Sequence, residues 1–228
     1  STLTSADAEV IYAGSQDQGF QIAIFDDGGV LDFEQTISGD YGHIVSGDGG
    51  KSVWTVYPTF AMYYPDLVNS TRAVFYNFEG DNYLWLPPLM ADPESPESVY
   101  LGGGGKNTGA HLWHITAYGD SVAAVEMPYD FGLSDENATI SALAVSPINA
   151  DLRFVSNDIG EFFRSEDGGE SWEMTEGFNG PEGHYFYGSS IVPSPVDPNQ
   201  VFIAGSGYSN PGVYFSDDLG DNFLPLIN

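Results

Sequence analysis

With 228 residues the chain can bury a sizeable core, and its 42% hydrophobic and 14% aromatic content excludes a disordered acidic tail. Acidic residues number 33 against 5 basic, a net charge of -28 that repels nucleic-acid backbones and anionic membrane surfaces. Cysteine is absent, which removes disulfides and thiolate chemistry, and no apolar run approaches the roughly 20 residues needed to span a bilayer.

Along the chain, EVIYAG and GFQIAIF open the pattern as short strands rich in β-branched and aromatic residues, and FDDGGVLDF at 25–33 follows as a hairpin. FAMYYPD at 60–66 precedes YNFEGDNY at 76–83, read as the next hairpin. LPPLMADPESPESVYLGG at 86–103 is strand, proline turn and strand, and the glycine run 102–105 before Lys106 reads as a long loop. It is no phosphate loop, since no helix follows and the GxxxxGK[ST] spacing is missing. A degenerate turn, ITAYGDSV, falls at 115–122. Two fuller copies close the chain: SEDGGESW at 165–172 and SDDLGDNF at 216–223. Both read Ser-x-Asp-x-Gly-x-x-aromatic, start 51 residues apart, and follow a strand, a proline turn and a second strand.

This rhythm predicts an all-β β-propeller, about five blades of four antiparallel strands, with 1–228 as a single domain or a propeller fragment. The blade hairpins are expected near 25–33, 76–83, 115–122, 165–172 and 216–223. A β-sandwich would also give many short strands, but not the same hairpin at a fixed interval. The first strands read as mid-blade and Ser1 is no initiator, so further blades from the rest of the chain or from another subunit are expected. Unclosed sheet edges invite aggregation.

The eight-residue motif has a local logic. Gly169 and Gly220 can adopt the positive φ of a tight turn, while Asp167 and Asp218 accept hydrogen bonds from turn amides and Ser165 and Ser216 add side-chain contacts. Trp172 and Phe223 then fold under the hairpin as apolar plugs. SEDGGESW and SDDLGDNF resemble the Asp-box, or bacterial neuraminidase, repeat of sialidases, xyloglucanase-like glycoside hydrolases, sortilin-type receptors and other secreted propellers. The resemblance implies the fold and an extracellular or cell-surface location; it leaves activity open, because enzymes and non-enzymes share the motif.

Candidate chemistry centres on GSQDQGF and SNDIGEFF, which place Asp17 and Asp158 in Asp-x-Gly turns directly after strands. Paired carboxylates are what glycosidic cleavage requires. SNDIGEFF is similar to the xyloglucanase-like stretch in which such an aspartate is catalytic; the match carries Asp158 and Gly160, with Glu161 where that family has a second glycine. The alternative is that each Asp caps its own loop. Tyr185, Tyr187 and Tyr208 sit among Gly, Ser and Asn, a mix suited to stacking on sugars. A sialidase would need an arginine triad, yet Arg153 and Arg164 adjoin the hairpin framework. The histidine spacing offers no metal site, and no cofactor is implied. The leading expectation is a glycan- or protein-recognition scaffold; the other is a glycoside hydrolase lobe.

Overall fold

The computed structural model describes residues 2–4, 10–24, 32–70, 72–176, 178, 188–205 and 211–226. Among them every regular element is a strand, and the strands form five four-stranded antiparallel sheets, each a simple meander in chain order. Sheet one is β1 (Thr2–Thr4), β2 (Val10–Ser15), β3 (Gly19–Ile24) and β4 (Glu34–Ile37). Sheet two is β5 (Ile44–Val45), β6 (Val53–Tyr57), β7 (Phe60–Tyr64) and β8 (Val74–Asn77). Sheet three is β9 (Leu89–Ala91), β10 (Ser98–Gly104), β11 (Ala110–Tyr118) and β12 (Ser121–Glu126). Sheet four is β13 (Ile140–Ser146), β14 (Asn149–Asn157), β15 (Phe162–Ser165) and β16 (Glu173–Met174). Sheet five is β17 (Gly188–Pro193), β18 (Val201–Gly205), β19 (Val213–Ser216) and β20 (Leu224–Pro225).

The chain divides into two compact units, one of Ser1–Glu79, Leu84–Leu101 and Trp113–Glu126, the other of Gly80–Tyr83, Gly102–Leu112 and Met127–Asn228. In the first, Tyr12 and Phe20 of sheet one pack with Ile44, Val53, Met62 and Tyr64 of sheet two and with Tyr41 between them. Phe20 and Tyr64 stack with ring centroids 5.7 Å apart. In the second unit, sheet four is buried on both faces. Successive side chains of a strand point to opposite sides, so Val155 and Phe163 pack with Ala110, Leu112 and Phe131. Phe154 and Phe162 face the other way, onto Ile191, Val201, Ile203 and Tyr214 of sheet five.

Two sequence expectations change. The hairpin joining the last two strands of sheet two is 65–73, between β7 and β8, whereas 76–83 begins on β8 and runs out of the sheet. Gly80 and the aromatic Tyr83 imitate the motif there but serve a packing role. The glycine run expected as a loop is instead largely strand: Gly102 to Gly104 end β10, and they are buried. A Cβ on Gly103 would lie 2.0 Å from the Tyr83 ring, and one on Gly104 would lie 1.5 Å from the Asp81 carbonyl oxygen. Gly103 and Gly104 are glycine because the 80–83 segment lies directly on the strand, whereas a Cβ on Gly102 would meet Ile140 and one on Gly105 the Thr108 carbonyl. The 115–122, 165–172 and 216–223 segments each join the last two strands of their sheet; most of 25–33 lies outside the described residues.

Gly104→Ala is expected to destabilise the fold by about 3 kcal/mol, since the backbone of 80–83 must move to admit it. Gly119→Ala, in the β11–β12 turn with φ +59 and open space around it, should cost only about 1 kcal/mol of left-handed strain. Urea unfolding of the two variants measures the difference, and equal losses would contradict the packing account.

Candidate functional site

The Ser-x-Asp-x-Gly turns form one repeated hydrogen-bond device. Ser165 Oγ donates to Asp167 Oδ1 (2.8 Å) and accepts from the Gly169 amide (2.8 Å), while the Ser171 amide donates to Asp167 Oδ1 (2.9 Å). In the second copy Ser216 Oγ donates to Asp218 Oδ1 (2.7 Å), the Gly220 amide donates to Ser216 Oγ (2.8 Å) and the Asn222 amide to Asp218 Oδ1 (2.9 Å). Each turn carries two successive positive φ values, 73° and 91° at Gly168 and Gly169, 61° and 89° at Leu219 and Gly220. Leu219 accepts that conformation as a non-glycine residue while its side chain packs on the Phe154 cluster.

The aromatic plugs also occupy matching surroundings. Trp172 meets Phe131, on the segment leading into sheet four, with centroids 5.0 Å apart. Phe223 meets Phe178, on the segment leading into sheet five, at 4.5 Å, and Phe162 of sheet four at 4.9 Å. Both plugs are half-buried and pin their hairpin to the preceding part of the chain.

A third copy escaped the sequence reading. Ser46 Oγ donates to Asp48 Oδ1 (2.9 Å) and accepts from the Gly50 amide (2.8 Å), and the Ser52 amide donates to Asp48 Oδ1 (2.9 Å). SGDGGKSV carries the same Ser, Asp and Gly spacing, but Val53 stands at the aromatic position and the turn joins β5 to β6, the first two strands of its sheet. The Ser-x-Asp-x-Gly-x-Ser spacing was the available signal; the expectation of one hairpin per interval at one place in the sheet hid it. Hydroxyls tie these turns to neighbouring elements: Tyr12 donates to the Gly50 carbonyl (2.7 Å) and Thr175 to the Gly220 carbonyl (2.5 Å).

The electrostatics of these aspartates follow from their donors. Bonds from the Ser171 hydroxyl and amide, then from Ser165, hold the Asp167 carboxyl down at about 2. For Asp218 partial desolvation raises the value, but the bonds from Asn222 and Ser216 outweigh it and the net shift is downward. Asp48 behaves alike, its desolvation outweighed by bonds from Ser52, Ser46 and the Lys51 amide. Such carboxylates are structural anions.

Asp158 lies in the β14–β15 turn of the second unit. Its Oδ1 accepts the Thr139 amide (2.8 Å) while its own amide donates to the Thr139 carbonyl (2.9 Å). The loop-capping function is therefore present, and the half-buried carboxylate keeps Oδ2 for another donor. Glu161, at the position of the second glycine in the xyloglucanase-like pattern, accepts from Asn157 Nδ2 at 2.6 Å, and its amide donates to Asn157 Oδ1 (2.9 Å). Asn157 is fully buried and donates as well to the Phe131 carbonyl (3.0 Å). Asp17 belongs to the first unit, on the exposed β2–β3 turn with φ 64°, its amide donating to Asp40 Oδ1 (2.8 Å). Tyr185, Tyr187 and Tyr208 lie outside the described residues.

An open polar depression is lined by Asp81, Asn82, Asn107, Thr108, Glu136 and Asn137, all in the second unit. Asn82 Nδ2 donates to the Glu136 carbonyl (3.1 Å), holding the 80–83 segment to the 133–139 segment. Asp130 Oδ1 accepts the Ala110 and Gly132 amides at 2.9 and 2.8 Å. Sequence reasoning missed this group because its members come from three separate stretches. Elsewhere, His114 Nε2 pairs with the buried Asp92 Oδ2 (2.8 Å) and His111 Nδ1 with the Met127 carbonyl (3.0 Å), so both rings are engaged in their sheet. Among the described residues no cluster of three metal-ligating side chains occurs.

Comparison with known proteins agrees with this architecture. No family model matches the chain. A crystal structure of a GH74 enzyme from Niastella koreensis superposes with TM-score 0.55 at 20% identity, covering 80% of this chain and 29% of that one. The β-propeller domain of Cps50 (Swd1) from Myceliophteria thermophila gives TM-score 0.66 at 10% identity, covering 94% of this chain and 63% of that domain. These likenesses establish the β-propeller fold. In sequence, a protein of Neosartorya fischeri named as a probable oligoxyloglucan-reducing end-specific xyloglucanase is 30% identical over 88 residues. The alignment covers 37% of this chain and 11% of that protein, so the chain spans a small part of its relative's length.

The depressed carboxyls make an acid limb that can be checked. A folded-state value below the unfolded value of about 3.9 gives stability that is present above pH 4 and lost as pH falls through the folded value. Asp167→Ala should therefore be less stable than the parent at neutral pH, with the gap closing between about pH 4 and pH 2. Urea midpoints followed by tryptophan fluorescence across that range would show it, and a gap independent of pH would contradict it.

Proposed function

We propose that this chain is part of an extracellular Asp-box propeller that recognises an uncharged polysaccharide. The observation that carries the reading is the depression of the second unit. It gathers two carboxylate residues, three side-chain amides and a hydroxyl on an open surface, the complement of a sugar's vicinal hydroxyls, which need donors and acceptors side by side. The charge of -28 narrows the ligand class, since uronate-rich or sulfated chains are repelled while a neutral glucan-type chain is not. The partial likeness to a protein named for xyloglucan points to the same class. Exposed Asn69, within a glycosylation sequon, fits an extracellular setting.

Titration calorimetry with xyloglucan oligosaccharides, and with a sulfated glycan as contrast, tests this reading. Binding of the neutral ligand should fall about tenfold or more in Asn137→Ala. Equal binding of the sulfated glycan at low salt would defeat it.

A second reading has its own support in Asp158: a half-buried carboxylate with one oxygen tied to its loop and the other available, in the turn similar to the xyloglucanase-like stretch. As a hydrolase lobe, the chain would use Asp158 as one member of an acid/base pair. Asp158→Asn keeps the acceptor for the Thr139 amide, so the fold should survive. Any release of reducing ends from xyloglucan by the parent should drop by about three orders of magnitude in this variant. Activity retained in Asp158→Asn would remove this residue from the mechanism.

A further inference from the structure

Sheet three ends on a strand whose free edge lacks the usual guards. An end strand presents unpaired amides and carbonyls, and proteins blunt such edges with shortness, bulges, charge or proline. The last strands of the other sheets each do so: β4 opens on exposed Glu34 and pairs with β3 through a register shift, β8 has four residues, β16 is Glu173–Met174 and β20 is Leu224–Pro225. At the opposite ends, the longer strands β13 and β17 lie against each other. β12 differs. Its six residues, SVAAVE, keep an unbroken register with β11 from Tyr118↔Ser121 to Trp113↔Glu126, and among the described residues no strand pairs with its other side.

The hydrogen-bonding groups of that edge follow from the ladder. The Met127 amide donates to the Leu112 carbonyl (2.8 Å), the rung after Trp113↔Glu126, so alternation turns the backbone groups of Ser121, Ala123 and Val125 toward β11 and those of Val122, Ala124 and Glu126 outward. On the face that carries Ala123 and Val125, Val125 is 60% exposed and Tyr118, opposite Ser121, is 63% exposed. The stretch is also almost free of charge. Between Lys106 and Glu126 the one acidic residue is Asp120, and Arg72 pairs with it. Carboxylates gather only at the far end of the strand. There Glu79 and Glu126 both act on the Tyr76 hydroxyl, which burial first, and then these charges, push up to about 12.

We propose that the β12 edge is a docking site for an extended segment of a protein partner, added to sheet three as a fifth strand and carrying lysine or arginine toward Glu126 and Glu79. The outward amides and carbonyls of Val122 and Ala124 supply the main-chain bonds, and Ala123 and Val125 flank alternate apolar side chains of the incoming strand. Small side chains along β12 leave the approach open. Charge selects this occupant over a second copy of the chain: two bodies of net charge -28 repel each other, whereas a basic segment is drawn in. Main-chain pairing therefore gives the contact its geometry, and the carboxylates give it a dependence on salt.

The test uses the full chain and a synthetic peptide of alternating valine and threonine with a lysine near each end. Titration should give a Kd on the order of 100 µM at low salt, with amide exchange slowed at Val122 and Ala124. The same peptide with glutamate for lysine should bind about tenfold more weakly or worse, and one with alternate amides N-methylated should not bind. Ala124→Pro removes an outward donor while keeping every bond to β11, so it should hold the parent's Tm and lose the peptide by about tenfold or more. Should that variant fold poorly, Val125→Lys, which places a charge on an exposed side chain, is expected to weaken the lysine peptide to the same extent. No binding by the lysine peptide, equal binding of the N-methylated one, or binding that leaves Val122 and Ala124 exchanging freely overturns the proposal. Sedimentation of the chain alone gives the last arm: a monomer agrees, and a dimer abolished by Ala124→Pro would make the occupant a second copy and overturn it.

Discussion

A four-stranded sheet with large apolar side chains on both faces is insoluble by itself, and this constraint organises the molecule. Sheet four shows it directly, since adjacent residues such as Phe162 and Phe163 point into different clusters, one shared with Phe131 and Ala110, the other with Ile203 and Tyr214. Burial on both sides ties the stability of sheet four to the elements packed on either face of it. The short strands, the tight hairpins and the glycines of β10 all serve that close approach.

Polar chemistry is then left to the turns and connections. The Ser-x-Asp-x-Gly turns use their carboxylates to satisfy backbone amides that no strand partner reaches, which explains why so acidic a motif is structural and why its carboxyls stay ionised in acid. Aromatic plugs and hydroxyl contacts such as Thr175 to Gly220 fasten each hairpin to what precedes it. Loops of the second unit are held by the same means: Asp130 fixes the start of β11 and Asn157 fixes Phe131 and Glu161.

The strands, the hairpin rhythm and the two full motifs were legible in the residues, because alternation, β-branched runs and turn chemistry are local properties. The third turn at Ser46 was legible in principle, yet its Val53 and its place between the first two strands lay outside the expected period. The glycine run at 102–105 misled for a physical reason: glycine marks either a turn or a close approach of another segment, and only coordinates show Tyr83 and Asp81 resting on the strand. Of the expected site, Asp158 and Asp17 sit in turns as anticipated, but the group formed by Asn82, Asn107 and Asn137 depends on stretches far apart in the chain.

The sequence by itself determined an all-β chain of repeated four-stranded units and the turn carboxylates that accept backbone amides, because each follows from neighbouring residues. Tertiary structure alone decided which side of sheet four is covered by which neighbours, which glycines are obligatory, and which polar groups meet in the depression of the second unit. Those outcomes depend on distances between segments that are remote along the chain, and no local preference encodes them.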